Sequence, residues 1–149
     1  MKIEKATIND HEILTEITKK SKAFWGYSAA QMLLWSDDLT ITKVYLELNE
    51  AFKLLNDGVA IGYYAYRMEE NSRARLDNLF LLPEYIGKGF GKYLAGDFIA
   101  RMRTQKIKKI ILDADPNATE FYLKIGFEKI GEVETSIKNR LMPIMEMNL

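Results

Sequence analysis

The chain contains no cysteine, which removes disulfides, thiolate nucleophiles and thiolate metal sites from its chemistry. Histidine is almost as scarce. His11 is the single one, so a histidine-based metal cluster is not expected, and at the start of a helical pattern it reads as an exposed residue rather than a catalytic one. Net charge is missing as well. Lys plus Arg and Asp plus Glu stand at 21 each, so no global field draws the chain toward nucleic acid or an acidic membrane. No segment approaches the roughly 20 apolar residues needed to cross a bilayer, and Met1-Lys2-Ile3-Glu4-Lys5 lacks the apolar core of a signal peptide. The expectation is a cytoplasmic protein with no resident metal and with neither membrane nor nucleic acid among its partners.

What is present suits one soluble domain spanning residues 1–149, long enough to bury a core, with 48% hydrophobic and 28% charged residues. Residues 2–8 alternate weakly, as a short strand would. Asn9 and Glu12 stand at capping-box spacing before Ile13, Leu14 and Ile17, which predicts a first helix to about Lys20. An aromatic loop with Phe24, Trp25 and Tyr27 follows. Ser28 and Gln31 form a second capping pair for a helix through Trp35, and residues 42–48 suggest another short helical piece. Asp57-Gly58 between 51–55 and 59–68 signals a hairpin. Residues 73–82, 89–104 and 109–113 then read as strand, helix and strand, a β-α-β unit with a right-handed crossover. A short helix at 118–124, capped by Asp115 or Asn117, stops at Gly126, and late strands at about 127–134 and 140–148 close the chain. The fold class is mixed α/β, a central mixed sheet flanked by helices.

The chain is organised around the glycine-rich turn Gly87-Lys88-Gly89-Phe90-Gly91, where an apolar strand gives way to an amphipathic helix. Amides converging at a helix start suit an anion such as a phosphate. Two familiar phosphate turns fail on spacing. A P-loop requires four residues between its glycines and a Ser or Thr after the lysine; here three intervene, and Tyr93 stands at the hydroxyl position. The dinucleotide fingerprint has a different last spacing, and only 36 residues follow Asp113, too few for a doubly wound sheet.

The turn resembles instead the central motif of the Gcn5-related N-acetyltransferases: Arg or Gln, two residues, Gly, one residue, then Gly or Ala. It covers Ile86-Gly87-Lys88-Gly89-Phe90-Gly91 and departs at Ile86, where the family usually has Arg or Gln. Asn117-Ala118-Thr119-Glu120-Phe121-Tyr122-Leu123-Lys124-Ile125-Gly126-Phe127 is similar to the family's second signature nearly residue for residue. The firm part of the resemblance is 76–127. It implies a family acyltransferase fold and direct acetyl transfer from acetyl-coenzyme A to a primary amine of a small molecule or peptide, in a ternary complex.

The resemblance also implies roles. Backbone groups near Phe80, Leu81 and Leu82 would pair with the pantetheine arm. The amides of Gly87, Lys88, Gly89, Phe90, Gly91 and Lys92 would hold the pyrophosphate, with Lys88 and Lys92 adding charge. Asn117 would contact the cofactor and cap its helix. Tyr122 would be the general acid for the departing thiolate, and Asp77 the acidic candidate for removing the amine proton, through water or a raised pKa. Glu84 reads as a surface charge. Phe24, Trp25 and Tyr27 would line an acceptor pocket by stacking or cation–π contact, or else staple the first helix to the sheet. Arg140 near the C-terminus would face the pocket or simply lead into a strand. Family members often dimerise through late strands, so a homodimer is an expectation. The competing classes are a non-catalytic acyl-coenzyme A sensor and a nucleotide-dependent enzyme.

Overall fold

The computed structural model describes residues 1–135, 137 and 140–149. Its strands are β1 (Lys2–Lys5), β2 (Glu50–Asn56), β3 (Val59–Glu69), β4 (Arg73–Leu81), β5 (Lys109–Asp113), β6 (Glu128–Glu134) and β7 (Leu141–Asn148). They follow the order β1-β2-β3-β4-β5-β7-β6 in one mixed sheet. The helices are α1 (His11–Ala23), α2 (Ala29–Leu34), α3 (Lys43–Leu48), α4 (Phe90–Thr104) and α5 (Thr119–Lys124). The chain divides into two compact units, Met1–Tyr66 with Asn78–Phe98 and Arg67–Asp77 with Ile99–Leu149. No helix among the described residues is long and apolar enough to cross a membrane.

In the first unit, the start of α1 differs from expectation. The capping box belongs to Thr7 and Asp10, not to Asn9 and Glu12: the Asp10 carboxylate accepts from the Thr7 amide at 2.8 Å and the Thr7 hydroxyl from the Asn9 amide at 3.3 Å. Extended backbone at Thr7 starts a 3-10 turn, Ile8–Asp10, that runs straight into α1. The helix continues to Ala23 because Leu14, Ile17, Thr18 and Ser21 form one buried stripe at helical spacing. Two of these are polar, so a count of apolar residues ends too early. Thr18 is satisfied by the Leu14 carbonyl at 2.7 Å and shares a hydrogen bond with the buried Tyr63 hydroxyl. Leu14 and Ile17 pack with Ala6, Ile41, Ala51, Tyr63 and Ala65 as the core of this unit.

The expected cap of α2 is present, the Ser28 hydroxyl accepting from the Gln31 amide at 3.0 Å, and α3 is capped in the same way by the Thr42 hydroxyl, which accepts from the Tyr45 amide at 3.0 Å. Asp57 (φ 50°) and Gly58 (φ 79°) make the two-residue turn joining β2 to β3, which pair antiparallel. The six residues 61–66 of β3 are all buried, as in a strand covered on both faces.

In the second unit β4 and β5 run parallel, with Arg73, Ala74 and Arg75 opposite Lys109, Ile110 and Ile111. β7 pairs antiparallel with both β5 and β6. Met102, Ile110, Leu112, Ala114, Phe127 and Met145 are buried. Asp115, not Asn117, is the capping residue: it opens a 3-10 turn, Pro116–Ala118, and α5 begins only at Thr119.

Candidate active site

The first unit holds the glycine turn, and the backbone explains two of its glycines. After a 3-10 turn at Pro83–Tyr85 and an extended Ile86, Gly87 and Gly89 adopt φ of 80° and 88°, a region that side chains other than glycine's enter at a cost. A Cβ at either would meet nothing within 4 Å, so the demand is conformational. Gly91 lies inside α4 with an ordinary φ. The first helical bond here runs from the Tyr93 amide to the Gly89 carbonyl at 3.1 Å. The amides of Phe90, Gly91 and Lys92 are thus left without helical acceptors at the positive end of a 15-residue helix. Lys88 and Lys92 are exposed beside them. Tyr85 and Phe90 meet edge to face at 5.7 Å.

The end of β4 has a defined polarity. The Leu82 amide donates to the Ile61 carbonyl at 2.8 Å, on the β3 side. The Phe80 carbonyl faces the same way, 2.9 Å from the point a Cβ on Gly62 would occupy. Backbone groups alternate between the two edges of a strand, so those of Leu81 and Leu79 face the opposite edge. The register with β5 covers only Arg73, Ala74 and Arg75, and among the described residues β4 has no further pairing with β5 beyond them. Gly62 makes the close approach workable: a Cβ there would lie 2.5 Å from Leu81 Cδ2. An isolated glycine in an apolar strand is the sequence signal for such an approach, and the expectations above did not use it.

The aromatic loop is also in this unit. Phe24 and Trp25 meet edge to face at 5.1 Å and are 49% and 39% exposed. Tyr27 packs edge to face on Trp35 at 4.8 Å, with the Lys22 ammonium 5.3 Å and 5.1 Å from the two ring centres. Of the three rings expected on the acceptor side, Tyr27 thus already faces a cation from the chain itself.

The second unit holds the remaining expected residues. Tyr122 on α5 is buried, with Phe121 at 5.1 Å and Phe127 at 5.5 Å, both edge to face. Burial pushes its phenol far above the ordinary tyrosine value, and the charge of Asp115 acts in the same direction. Tyr122 therefore stays a neutral O–H donor. Asn117 is exposed, and its main-chain and side-chain amides donate to one Asp115 oxygen at 2.9 Å and 3.0 Å. The other Asp115 oxygen accepts from Arg140 Nη2 at 3.1 Å. Arg140 is thus tied to the start of the signature segment, a link that no sequence spacing suggests. Asp77 on β4 pairs with Arg67 on β3 at 3.2 Å. Nearby, Glu69 takes Arg75 at 2.8 Å, and that hydrogen bond holds its carboxyl below the usual range.

These two constellations belong to a known class. The family described as "Acetyltransferase (GNAT) domain" matches residues 37–149, and the chain belongs to it. Among individual proteins, the chain is 34% identical over 80 residues to the ribosomal protein bS18 alanine N-acetyltransferase of Haemophilus influenzae, covering 52% of this chain and 54% of that protein. It is 31% identical over 67 residues to the uncharacterized N-acetyltransferase ycf52 of Gracilaria tenuistipitata var. liui, covering 45% of this chain and 37% of that protein. The chain thus spans about half or less of these curated relatives' lengths. The crystal structure of PaiA N-acetyltransferase from Thermoplasma acidophilum in complex with coenzyme A superposes with a TM-score of 0.82 over the whole of both chains at 24% identity, a likeness of fold.

Proposed function

We propose that the chain is a single-domain cytoplasmic N-acetyltransferase that moves the acetyl group of acetyl-coenzyme A onto a primary amine of a small molecule or peptide. The observation that carries this reading is the turn at 86–92. Two left-handed glycines bring three amides without helical acceptors to the start of α4, close in sequence to the part of β4 beyond its pairing with β5. Amides at 87–92 would hold the pyrophosphate, and the exposed Lys88 and Lys92 would add charge. Of the strand groups, those of Leu81 would pair with the pantetheine amides, because the Leu82 amide is spent on Ile61 and Phe80 faces Gly62.

Acetyl-coenzyme A supplies the electrophilic thioester. Transfer forms a C–N bond, breaks the C–S bond and leaves a thiolate. The neutral phenol of Tyr122 is suited to meet that charge. A thiol near pKa ~8.5 binds a proton less tightly than even an ordinary tyrosine at ~10, so raising the phenol favours a hydrogen bond to the thiolate over full proton transfer. Asn117 would contact the cofactor, and Asp77 would take the amine proton through water. Wild-type turnover in Asp77→Asn would remove that role. Phe24, Trp25 and Tyr27 would line the acceptor side. The bS18 relative acts on an alanine of a protein, which puts peptide N-termini among the acceptors to try. A homodimer through the late strands accompanies the reading, and a monomer mass by light scattering would remove it.

The test is thiol release from acetyl-coenzyme A across alkyl amines, amino acids and peptides with free N-termini, beside thermal shift with coenzyme A, NAD and ATP. Stabilisation by coenzyme A together with turnover on at least one amine is expected. Stabilisation without turnover on any amine would favour the sensor, and stabilisation by NAD or ATP alone a nucleotide-dependent enzyme.

A further inference from the structure

The Asp115 carboxylate joins three groups that lie far apart in kind. One oxygen accepts both amides of Asn117, at 2.9 Å and 3.0 Å, and the other accepts from Arg140 at 3.1 Å, 25 residues further along the chain. Both charged side chains are largely withdrawn from water, at 14% and 13% exposure. A pair so placed is costly to break on one side only, because the surviving charge is left without its partner. The carboxylate has a further consequence. Having no hydrogen to donate, it can meet only the NH2 end of the Asn117 amide, so it fixes which way that side chain is turned. Pro116 sits at the first position of the intervening 3-10 turn and restricts the backbone between them.

We propose that Asp115, braced by Arg140, is a positioning residue for acetyl transfer: it fixes the side-chain amide of Asn117 and the turn from which α5 carries Tyr122. The inference rests on the acetyltransferase reading, in which Asn117 and Tyr122 serve the reaction. Asp115 itself touches neither acetyl donor nor amine in this scheme.

The experiment measures coenzyme A affinity by calorimetry, and kcat and KM with the best amine of the panel, for Asp115→Asn, Arg140→Met, their double variant and Arg140→Lys. Each variant's melting temperature is recorded alongside. Asp115→Asn and Arg140→Met are expected to weaken coenzyme A binding 5- to 20-fold each, with a comparable fall in kcat. The double variant should be no worse than either alone, since all three lose one and the same brace. Arg140→Lys, which keeps the charge, should recover to within about threefold of wild type. Additive losses in the double variant, or failure of lysine to rescue while the melting temperature holds, would overturn the proposal. So would wild-type affinity in both single variants. Tyr122→Phe separates this from the larger reading: if that variant turns over like wild type, the reading of the site fails. If it is impaired while Asp115→Asn is not, only the positioning role fails.

Discussion

The turns before α4 and α5 start alike and end differently. Each is a 3-10 turn with proline leading it, at Pro83–Tyr85 and Pro116–Ala118. At the first, the capping position is Leu82, which makes no side-chain cap, and a glycine loop then delivers bare amides to the start of α4. At the second, the Asp115 side chain takes the Asn117 amide at once, leaving the Asn117 side chain exposed while Tyr122 on the following helix is buried. On the proposed reading, one turn would bind with backbone and the other with side chains. On that reading an isoleucine at position 86 should leave the first motif working, whereas the segment 117–127 should depend on its side chains. A backbone grip depends on φ and ψ, which many side chains permit. A side-chain grip depends on identity.

Single substitutions should therefore behave differently in the two regions. The largest effect is expected in the second. Tyr122→Phe removes one oxygen from a buried ring that keeps its contacts with Phe121 and Phe127. Turnover should fall ~10²- to 10⁴-fold with coenzyme A affinity nearly unchanged. Steady-state kinetics beside calorimetry checks this, and equal losses in kcat and affinity would blur the contrast between the regions.

In the first region the effects should follow conformation. Ala at 87 or 89 would have to adopt a left-handed backbone, at about 1–2 kcal/mol. If that strain is relieved by losing the bound geometry of the turn, coenzyme A binds ~10-fold more weakly. Gly91→Ala carries no such strain, because the φ there is helical, and removing a helix glycine stabilises by about 0.5–1 kcal/mol. Thermal unfolding without ligand should thus drop for Gly87→Ala and Gly89→Ala and rise slightly for Gly91→Ala. A drop of equal size at all three positions would mean that the turn is held by something other than its φ angles.

The comparison also marks what a sequence can carry. Residues 109–113 match β5 to the residue, because a continuous apolar centre flanked by charge has one reading in a mixed sheet. The Asp57-Gly58 hairpin was legible for a similar local reason: both residues take the positive φ that such a turn demands. The end of α1 was not, since Thr18 and Ser21 face the core through hydrogen bonding and packing that only the third dimension supplies. Within the site, the glycines at 87 and 89 announce themselves. The direction of the Leu82 amide depends on where Ile61 lies, and the brace on Asp115 comes from Arg140 across 25 residues. Neither has a period or a motif. The contact of Lys22 with the Tyr27 and Trp35 rings is of the same kind, assembled from three points that no local pattern connects.

The smallest expected effect is a pH dependence that should not appear. Burial first, and the charge of Asp115 second, raise the Tyr122 phenol above its unfolded value. A group raised on folding holds more protons in the native state than in the unfolded chain, so its contribution to stability is complete below the unfolded value of ~10 and is lost as pH climbs above it. Between pH 8 and 10 the phenol therefore stays protonated, and kcat with a saturating amine should show no descending limb from this residue. Rate profiles over that range, beside thermal melts in the same buffers, check it. A descending limb centred near pH 10 that vanishes in Tyr122→Phe would mean that the phenol titrates like a solvated one. The second region would then work as openly to water as the glycine turn, and the contrast between a buried side-chain grip and an exposed backbone grip would fail at the residue on which it leans most.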